Sequence, residues 1–95
     1  MSYLKVNNQQ ESIRTTGSYL SFLNSISSNS TSPDFFKVTT DGSNKANVDE
    51  YLLSIQEIKK EDGSGKSFMF KATGYAVKND NRIPIAGNIE GYIRF

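Results

Sequence analysis

One short run of this sequence resembles part of a phosphate-binding loop, and it is the first candidate for a chemical function. The run Gly63-Ser64-Gly65-Lys66-Ser67 matches the end of the P-loop motif, in which backbone N–H groups and a lysine hold phosphates. The full motif needs a glycine five positions before Gly65, where this chain has Lys60. It also needs a following helix, whereas Ser67-Phe68-Met69-Phe70 has the composition of a strand. We therefore interpret the segment as a hairpin loop.

Carboxylates are the other groups that could bind a metal ion or transfer protons. The segment 41–50 is rich in them, but Lys45 and Ala46 stand where an EF-hand loop needs a ligand and a glycine. The chain has no histidine and no cysteine, which excludes imidazole catalysis, thiol nucleophiles, disulfides and the usual structural zinc sites. Asp80 and Glu90 have no obvious acidic partner across a cleft. We expect no metal, no cofactor and no enzyme activity.

The most suggestive polar and aromatic residues lie on two segments that alternate as strands do. Both 66–77 and 83–95 place apolar side chains on one face and polar side chains on the other. Tyrosine and arginine are favoured in protein interfaces because each joins a large apolar area to a hydrogen-bonding tip. The alternative is that these residues have only a structural role, as ordinary strand formers with a cross-strand Lys71–Glu90 charge pair. The predicted protein-binding residues are Lys71, Tyr75, Glu90, Tyr92 and Arg94.

The same face can be interpreted as a platform for single-stranded nucleic acid. Small β-domains of that kind stack bases on aromatic side chains above a basic groove. The residues involved would be Lys66, Lys71, Tyr75, Tyr92 and Arg94. The formal net charge is only +1, from 11 basic and 10 acidic residues, whereas nucleic-acid-binding domains are usually strongly basic. Nucleic acid is therefore the weaker partner hypothesis.

The sequence predicts a small protein-binding module whose partner is another protein. Such a module would be an inhibitor, adaptor or accessory subunit, of the kind that phages and mobile elements encode. A third hypothesis is a structural subunit of a homo-oligomer, pairing through a sheet edge near Pro84 or the final strand. The first residues lack the apolar run of a signal peptide, and no stretch is apolar enough to span a membrane. We expect a soluble, cytoplasmic protein with no membrane partner.

The chain of 95 residues is expected to form a single domain over 1–95. The first third is ambiguous. Asn8 and Glu11 resemble a helix capping box, and an apolar stripe favours a helix over about 9–27. Thr15-Thr16-Gly17 is poor helix material, so a broken helix or two short strands are the alternatives. A serine-rich loop is predicted over 24–34.

Four later segments are predicted as strands. The runs 35–40, 66–77 and 83–95 are rich in aromatic or β-branched residues or alternate clearly. The segment 48–60 fits both a capped helix and a strand, and we favour the strand because sequential strands usually pair. The predicted fold is α+β and β-rich, an antiparallel meander of about four strands with an N-terminal helix packed on one face. A small closed β-barrel is the alternative.

Overall fold

The computed structural model describes residues 2–26, 35–40, 48–61 and 66–95. Within these residues the chain forms seven β-strands and one α-helix. The strands are β1 (Tyr3–Val6), β2 (Gln9–Ser12), β3 (Phe35–Val38), β4 (Glu50–Lys60), β5 (Ser67–Lys78), β6 (Asn81–Pro84) and β7 (Ile89–Arg94), and the helix α1 (Gly17–Ile26) follows β2. Most of the predicted hairpin loop after Lys60, most of the serine-rich loop, and residues 41–47 of the carboxylate-rich segment lie outside the described residues.

All described strands belong to one antiparallel sheet. Its order is β2-β1-β7-β5-β4-β3, and β6 pairs with the second half of β5. The β-rich antiparallel prediction is confirmed, but four strands were too few. Two more come from an N-terminal hairpin, and the predicted last strand is divided into β6 and β7. The sheet is not closed, so the barrel alternative is not supported.

The N-terminal hairpin replaces the first part of the predicted helix. Asn7 and Asn8 both have positive φ angles, 51° and 65°, which a two-residue hairpin turn of type I′ requires and asparagine tolerates. Val6 and Gln9 are paired across this turn. The expected capping box at Asn8 and Glu11 was therefore wrong, since Asn8 forms a turn and Glu11 lies in β2.

The helix begins later than predicted, after the Thr15-Thr16-Gly17 interruption. The backbone N–H of Tyr19 lies 3.3 Å from Thr16 Oγ1, so the threonine side chain caps the helix start. Residues 24–26, which were predicted to begin the serine-rich loop, form the last turn of α1. The weak helix formers thus mark the boundary between hairpin and helix.

Strand β4 explains why the segment 48–60 resembled a helix. Its pairing with β5 shifts between Ile55 and Glu57, which leaves Gln56 as an extra residue in a β-bulge. The bulge changes the phase of the alternation, so that Ile58 rather than Glu57 lies opposite the core residue Phe70. The apolar residues of β4 therefore do not follow the strict two-residue repeat of a regular strand. The favoured strand interpretation is confirmed.

The core lies between α1 and the face of the sheet that we call the inner face. Tyr19 and Leu23 of the helix are buried against it, and Phe22 stacks on Phe36 with ring centroids 4.8 Å apart. The alternation predicted for the last strands holds in β5 and β7. Their buried inner-face residues include Phe68, Phe70, Ala72, Ile89 and Ile93.

The two outer strands of the sheet, β2 and β3, approach each other at one point beyond their ends. Ile13 forms an isolated antiparallel bridge with Thr40, and Arg14 donates a backbone hydrogen bond of 3.0 Å to Thr39. This contact links the edges without making a continuous ladder. The final strand β7 pairs with both β1 and β5, so it cannot be the sheet edge that the homo-oligomer hypothesis required. Among the described residues, β6 with Pro84 pairs with β5 alone.

Candidate functional site

The predicted binding residues lie on the face of the sheet opposite α1, which we call the outer face. Strands β5 and β7 pair in a register that places Lys71 opposite Glu90 and Ser67 opposite Arg94. Tyr92 lies between Glu90 and Arg94 on the same face, because alternate residues of a strand point the same way. The structure therefore brings together four predicted residues: Lys71, Glu90, Tyr92 and Arg94.

Tyr75 lies on the outer face but apart from the other four residues. It pairs with Leu52 on one side and Pro84 on the other, near the far end of β5. Met69, the register partner of Tyr92, lies six residues before Tyr75 on β5. This separation corresponds to about 20 Å along the strand. The ring of Tyr75 lies 5.7 Å from that of Phe35, measured between centroids. Tyr75 thus belongs to a second aromatic pair.

A row of aromatic and apolar side chains crosses the outer face at Tyr92. The ring of Tyr92 lies 5.6 Å from that of Tyr3 on β1, and Met69 is its partner on β5. Met69 is 43% exposed, so a large part of its apolar side chain faces water. We call Tyr3, Tyr92 and Met69 the aromatic row. Tyr3 was missed because β1 was not predicted as a strand.

A neighbouring row of charges alternates in sign across four strands. Lys5 on β1 is opposite Glu90 on β7, Glu90 is opposite Lys71 on β5, and Lys71 is opposite Glu57 on β4. The Lys71 ammonium lies 3.6 Å from Glu57 Oε2, and both side chains are more than half exposed. Exposed ion pairs of this kind add about 0–1 kcal/mol to stability. The charge row therefore contributes more to surface pattern than to folding.

A groove of about 410 Å³ lies beside these two rows. Met69, Phe70 and Ile58 contribute apolar surface to it. The charged side chains of the groove are of both signs, with three carboxylates and two ammonium groups: Glu57, Glu61, Glu90, Lys59 and Lys71. Lysine and glutamate are depleted at the centre of protein interfaces and are found at their rims, so this groove has the composition of a rim.

The residues of the nucleic-acid hypothesis do not form one basic surface. Lys66 and Arg94 are both exposed at one end of β5 and β7, and the backbone of Lys66 accepts a hydrogen bond from Phe95. Between them and Tyr75 the outer face carries the carboxylates of Glu90 and Glu57. These negative charges would repel a phosphate backbone that runs along the face.

Other chemistries find little support in the described part of the chain. The residues after the P-loop-like run form strand β5, not the helix that a P-loop requires. Within residues 2–26, 35–40, 48–61 and 66–95, no three acidic side chains lie close enough to hold a metal ion. The helix described here is too short and too polar to cross a membrane.

Comparison with protein-family models, with curated proteins and with solved structures finds no match for this chain.

Proposed function

We propose that this protein is a small non-catalytic protein-binding module that acts as an inhibitor, adaptor or accessory subunit. The partner protein binds the outer face of the sheet, centred on the aromatic row. The observation that carries the proposal is the exposed Met69 beside the paired rings of Tyr3 and Tyr92. The proposed setting is the cytoplasm.

The aromatic row has the chemistry of an interface centre. Tyrosine and methionine are enriched in protein interfaces because they supply large contact areas, and tyrosine adds a hydroxyl for hydrogen bonding. The Tyr3 and Tyr92 rings already support each other at 5.6 Å, so they lose little freedom when a partner covers them. Covering Met69 removes further apolar surface from water.

The second aromatic pair fits within the same interface. Phe35 is 50% exposed and its ring contacts Tyr75, about 20 Å from the aromatic row. A standard interface covers about 800 Å² on each partner, which corresponds to a patch roughly 30 Å across. One partner surface of ordinary size can therefore contact both aromatic pairs.

The charge row supplies specificity rather than affinity. The charges follow the order Lys5, Glu90, Lys71 and Glu57 across the sheet. A partner with complementary charges binds in one register, because a shift by one strand places like charges together. Because these side chains are largely exposed, salt weakens their attraction to the partner. Association should therefore slow moderately as ionic strength rises, and far less steeply than for a nucleic-acid-binding protein.

The proposal is tested by affinity capture from native extract, with and without nuclease. Wild-type protein is compared with a Met69→Ala, Tyr92→Ala double variant and with the control Ile83→Ala. Ile83 is 51% exposed, but it is in register with Ala76, a residue of the inner face. The control thus removes an exposed apolar side chain from a different surface.

We expect one protein to be captured in stoichiometric amount and to survive nuclease treatment. The double variant should not capture this protein, and the control variant should capture it as the wild type does. Circular dichroism of both variants checks that the fold is kept. Capture of the same protein by the double variant would contradict the proposal. So would recovery of nucleic acid together with proteins that are all lost after nuclease treatment.

Self-association is a second candidate function, and one observation favours it. The charge row reads positive, negative, positive, negative across the sheet. A two-fold axis along the strands, between β7 and β5, would place Lys71 against Glu90 of a second copy and Lys5 against its Glu57. The row is therefore complementary to itself, as an interface between two identical subunits must be.

Light scattering decides whether the second candidate holds. A dimer mass, reduced to a monomer mass by Lys71→Glu and restored by adding Glu90→Lys, would identify the second copy as the partner. A monomer mass at every concentration would exclude self-association and leave a different protein as the partner.

A further inference from the structure

A cavity of about 380 Å³ opens at one end of the inner face, between the β1–β2 hairpin and β6. It exists because β1 pairs with β7 only as far as Lys5, opposite Glu90, while β6 pairs with β5. The chain leaves regular strand structure over 85–88, where Gly87 has a φ of 81°. Among the described residues, the seam between β1 and β6 is therefore open, and the cavity lies within it.

The cavity combines apolar walls with two buried polar side chains. Val6, Ile83 and Ile85 contribute apolar surface. Glu11 and Tyr51 also line the cavity, and they are only 1% and 2% exposed. An apolar cavity with a small number of convergent polar groups is the usual form of a small-molecule site.

Glu11 reaches the cavity because of its place in the hairpin. It pairs with Leu4, a fully buried residue of the inner face, so its side chain lies on that face. Tyr51 comes from β4, where it is opposite the inner-face residue Ala76, so its side chain also lies on the inner face. Burial raises the pKa of the Tyr51 phenol, and the nearby negative charge of Glu11 raises that pKa further. At neutral pH the phenol is protonated, as every ordinary tyrosine is, and it lies near the Glu11 carboxylate.

We propose that this cavity binds a small apolar amine, with the protonated amino group at Glu11 and Tyr51 and the apolar body against Val6, Ile83 and Ile85. A carboxylate has about four acceptor positions, so Glu11 can accept from an ammonium group in addition to its contacts within the protein. An ammonium donor and a carboxylate acceptor form a charge-assisted hydrogen bond, which is stronger than one between neutral groups. An anionic ligand would be repelled by the same carboxylate.

The volume limits the size of the ligand. A cavity of about 150 Å³ holds one benzene ring, so 380 Å³ corresponds to roughly fifteen non-hydrogen atoms. A two-ring aromatic amine with a short side chain has this size. The site is separate from the outer face, and the proposal does not depend on the protein-binding function.

The test uses three naphthalene probes of similar shape: naphthylethylamine, naphthylethanol and naphthylacetate. Binding is followed by isothermal titration calorimetry, whose signal does not depend on the tryptophan that one of the variants introduces. Wild-type protein, Glu11→Gln and Ile83→Trp are titrated with each probe. Ile83 is half exposed at the cavity, so a tryptophan there fills space without replacing a buried core residue. Tyr92→Ala, on the outer face, is the control variant.

We expect saturable binding of the amine, about tenfold tighter than the alcohol, and weaker binding of the acid. Glu11→Gln should reduce the affinity for the amine to that for the alcohol and leave alcohol binding unchanged. Ile83→Trp should abolish binding of both, and it serves as the test if Glu11→Gln fails to fold. Tyr92→Ala should bind the amine as wild type does.

Three results would overturn this inference. One is equal affinity of the wild type for the amine, the alcohol and the acid. Another is unchanged binding of the amine by Ile83→Trp. The third is absence of amine binding by the wild type at millimolar concentration. Each of these leaves the capture experiment on the outer face unaffected, so the two proposals fail separately.

Discussion

Tyr3 and Tyr92 lie in register on adjacent strands, with their ring centroids 5.6 Å apart, although they come from opposite ends of the chain. Their contact joins the first strand of the chain to the last, within the sheet. The two tyrosines are also two of the three residues of the aromatic row, which we propose as the centre of a protein interface. One pair of residues thus contributes to both the fold and the proposed function.

The tyrosine pair should be energetically coupled. Tyr3→Ala and Tyr92→Ala each remove one ring of the pair, so the double variant should be less destabilised than the sum of the single variants. Aromatic pairs contribute about 0.5–1.5 kcal/mol beyond their buried area. Urea unfolding of the four proteins measures the coupling. Strictly additive losses of unfolding free energy would show that the rings do not support each other.

Gly91 is predicted to be essential for packing on the inner face. A Cβ atom at this position would overlap the ring of Phe70 on the neighbouring strand. Gly91→Ala should therefore lower the free energy of unfolding by about 1–3 kcal/mol, because the ring must move within a packed core. Gly17→Ala is the matched control, since a Cβ there meets no atom within 4 Å. Equal effects of the two substitutions in urea unfolding would disprove this explanation.

The hydroxyl of Tyr19 holds the helix to the chain after β3. It accepts a hydrogen bond of 3.1 Å from the backbone N–H of Thr39, and the tyrosine is buried. Tyr19→Phe leaves the N–H without this acceptor and should cost about 1–2 kcal/mol of stability. Tyr75→Phe, on a partly buried ring of the outer face, should cost less. Thermal unfolding compares the two variants, and an equal loss of stability would count against this role for Tyr19.

Tyr51 should make stability depend on pH in the alkaline range. Burial, and secondarily the charge of Glu11, raise its pKa above the ordinary value of 10.0, so the folded state keeps the phenol proton longer than the unfolded state. Its contribution to stability is therefore complete below pH 10 and is lost as pH rises through the folded-state pKa. Urea unfolding at about pH 8 and pH 11 should show a larger loss for wild type than for Tyr51→Phe. Identical losses would contradict the burial of the phenol.

Much of the fold was predictable because strand alternation is a local property. The alternating faces of β5 and β7 follow from the spacing of residues such as Phe68, Phe70 and Ile93. The strand at β4 was predicted instead from the tendency of sequential strands to pair. The hairpin at Asn7 and Asn8 was missed because strands of four residues are too short for a clear repeat. Two consecutive asparagines, which tolerate positive φ, were the available signal.

The candidate site was predictable only in part, because its geometry depends on register. Alternation placed Tyr75 and Tyr92 on one face, but the distance between them follows from the pairing of Met69 with Tyr92. The charge row depends on pairing across four strands and on the bulge at Gln56, which no local pattern specifies. The cavity at Glu11 requires the open seam beside β6, which is a property of the whole sheet.

The most direct test of the protein-binding proposal is NMR of protein labelled at the methionine methyl groups, before and after addition of the captured partner. The chain has two methionines, so the spectrum is simple, and Met69→Leu identifies the Met69 signal. We predict that this signal shifts or broadens when the partner binds, because Met69 becomes covered. An unchanged Met69 signal in a sample where binding is complete would show that the partner does not contact the aromatic row.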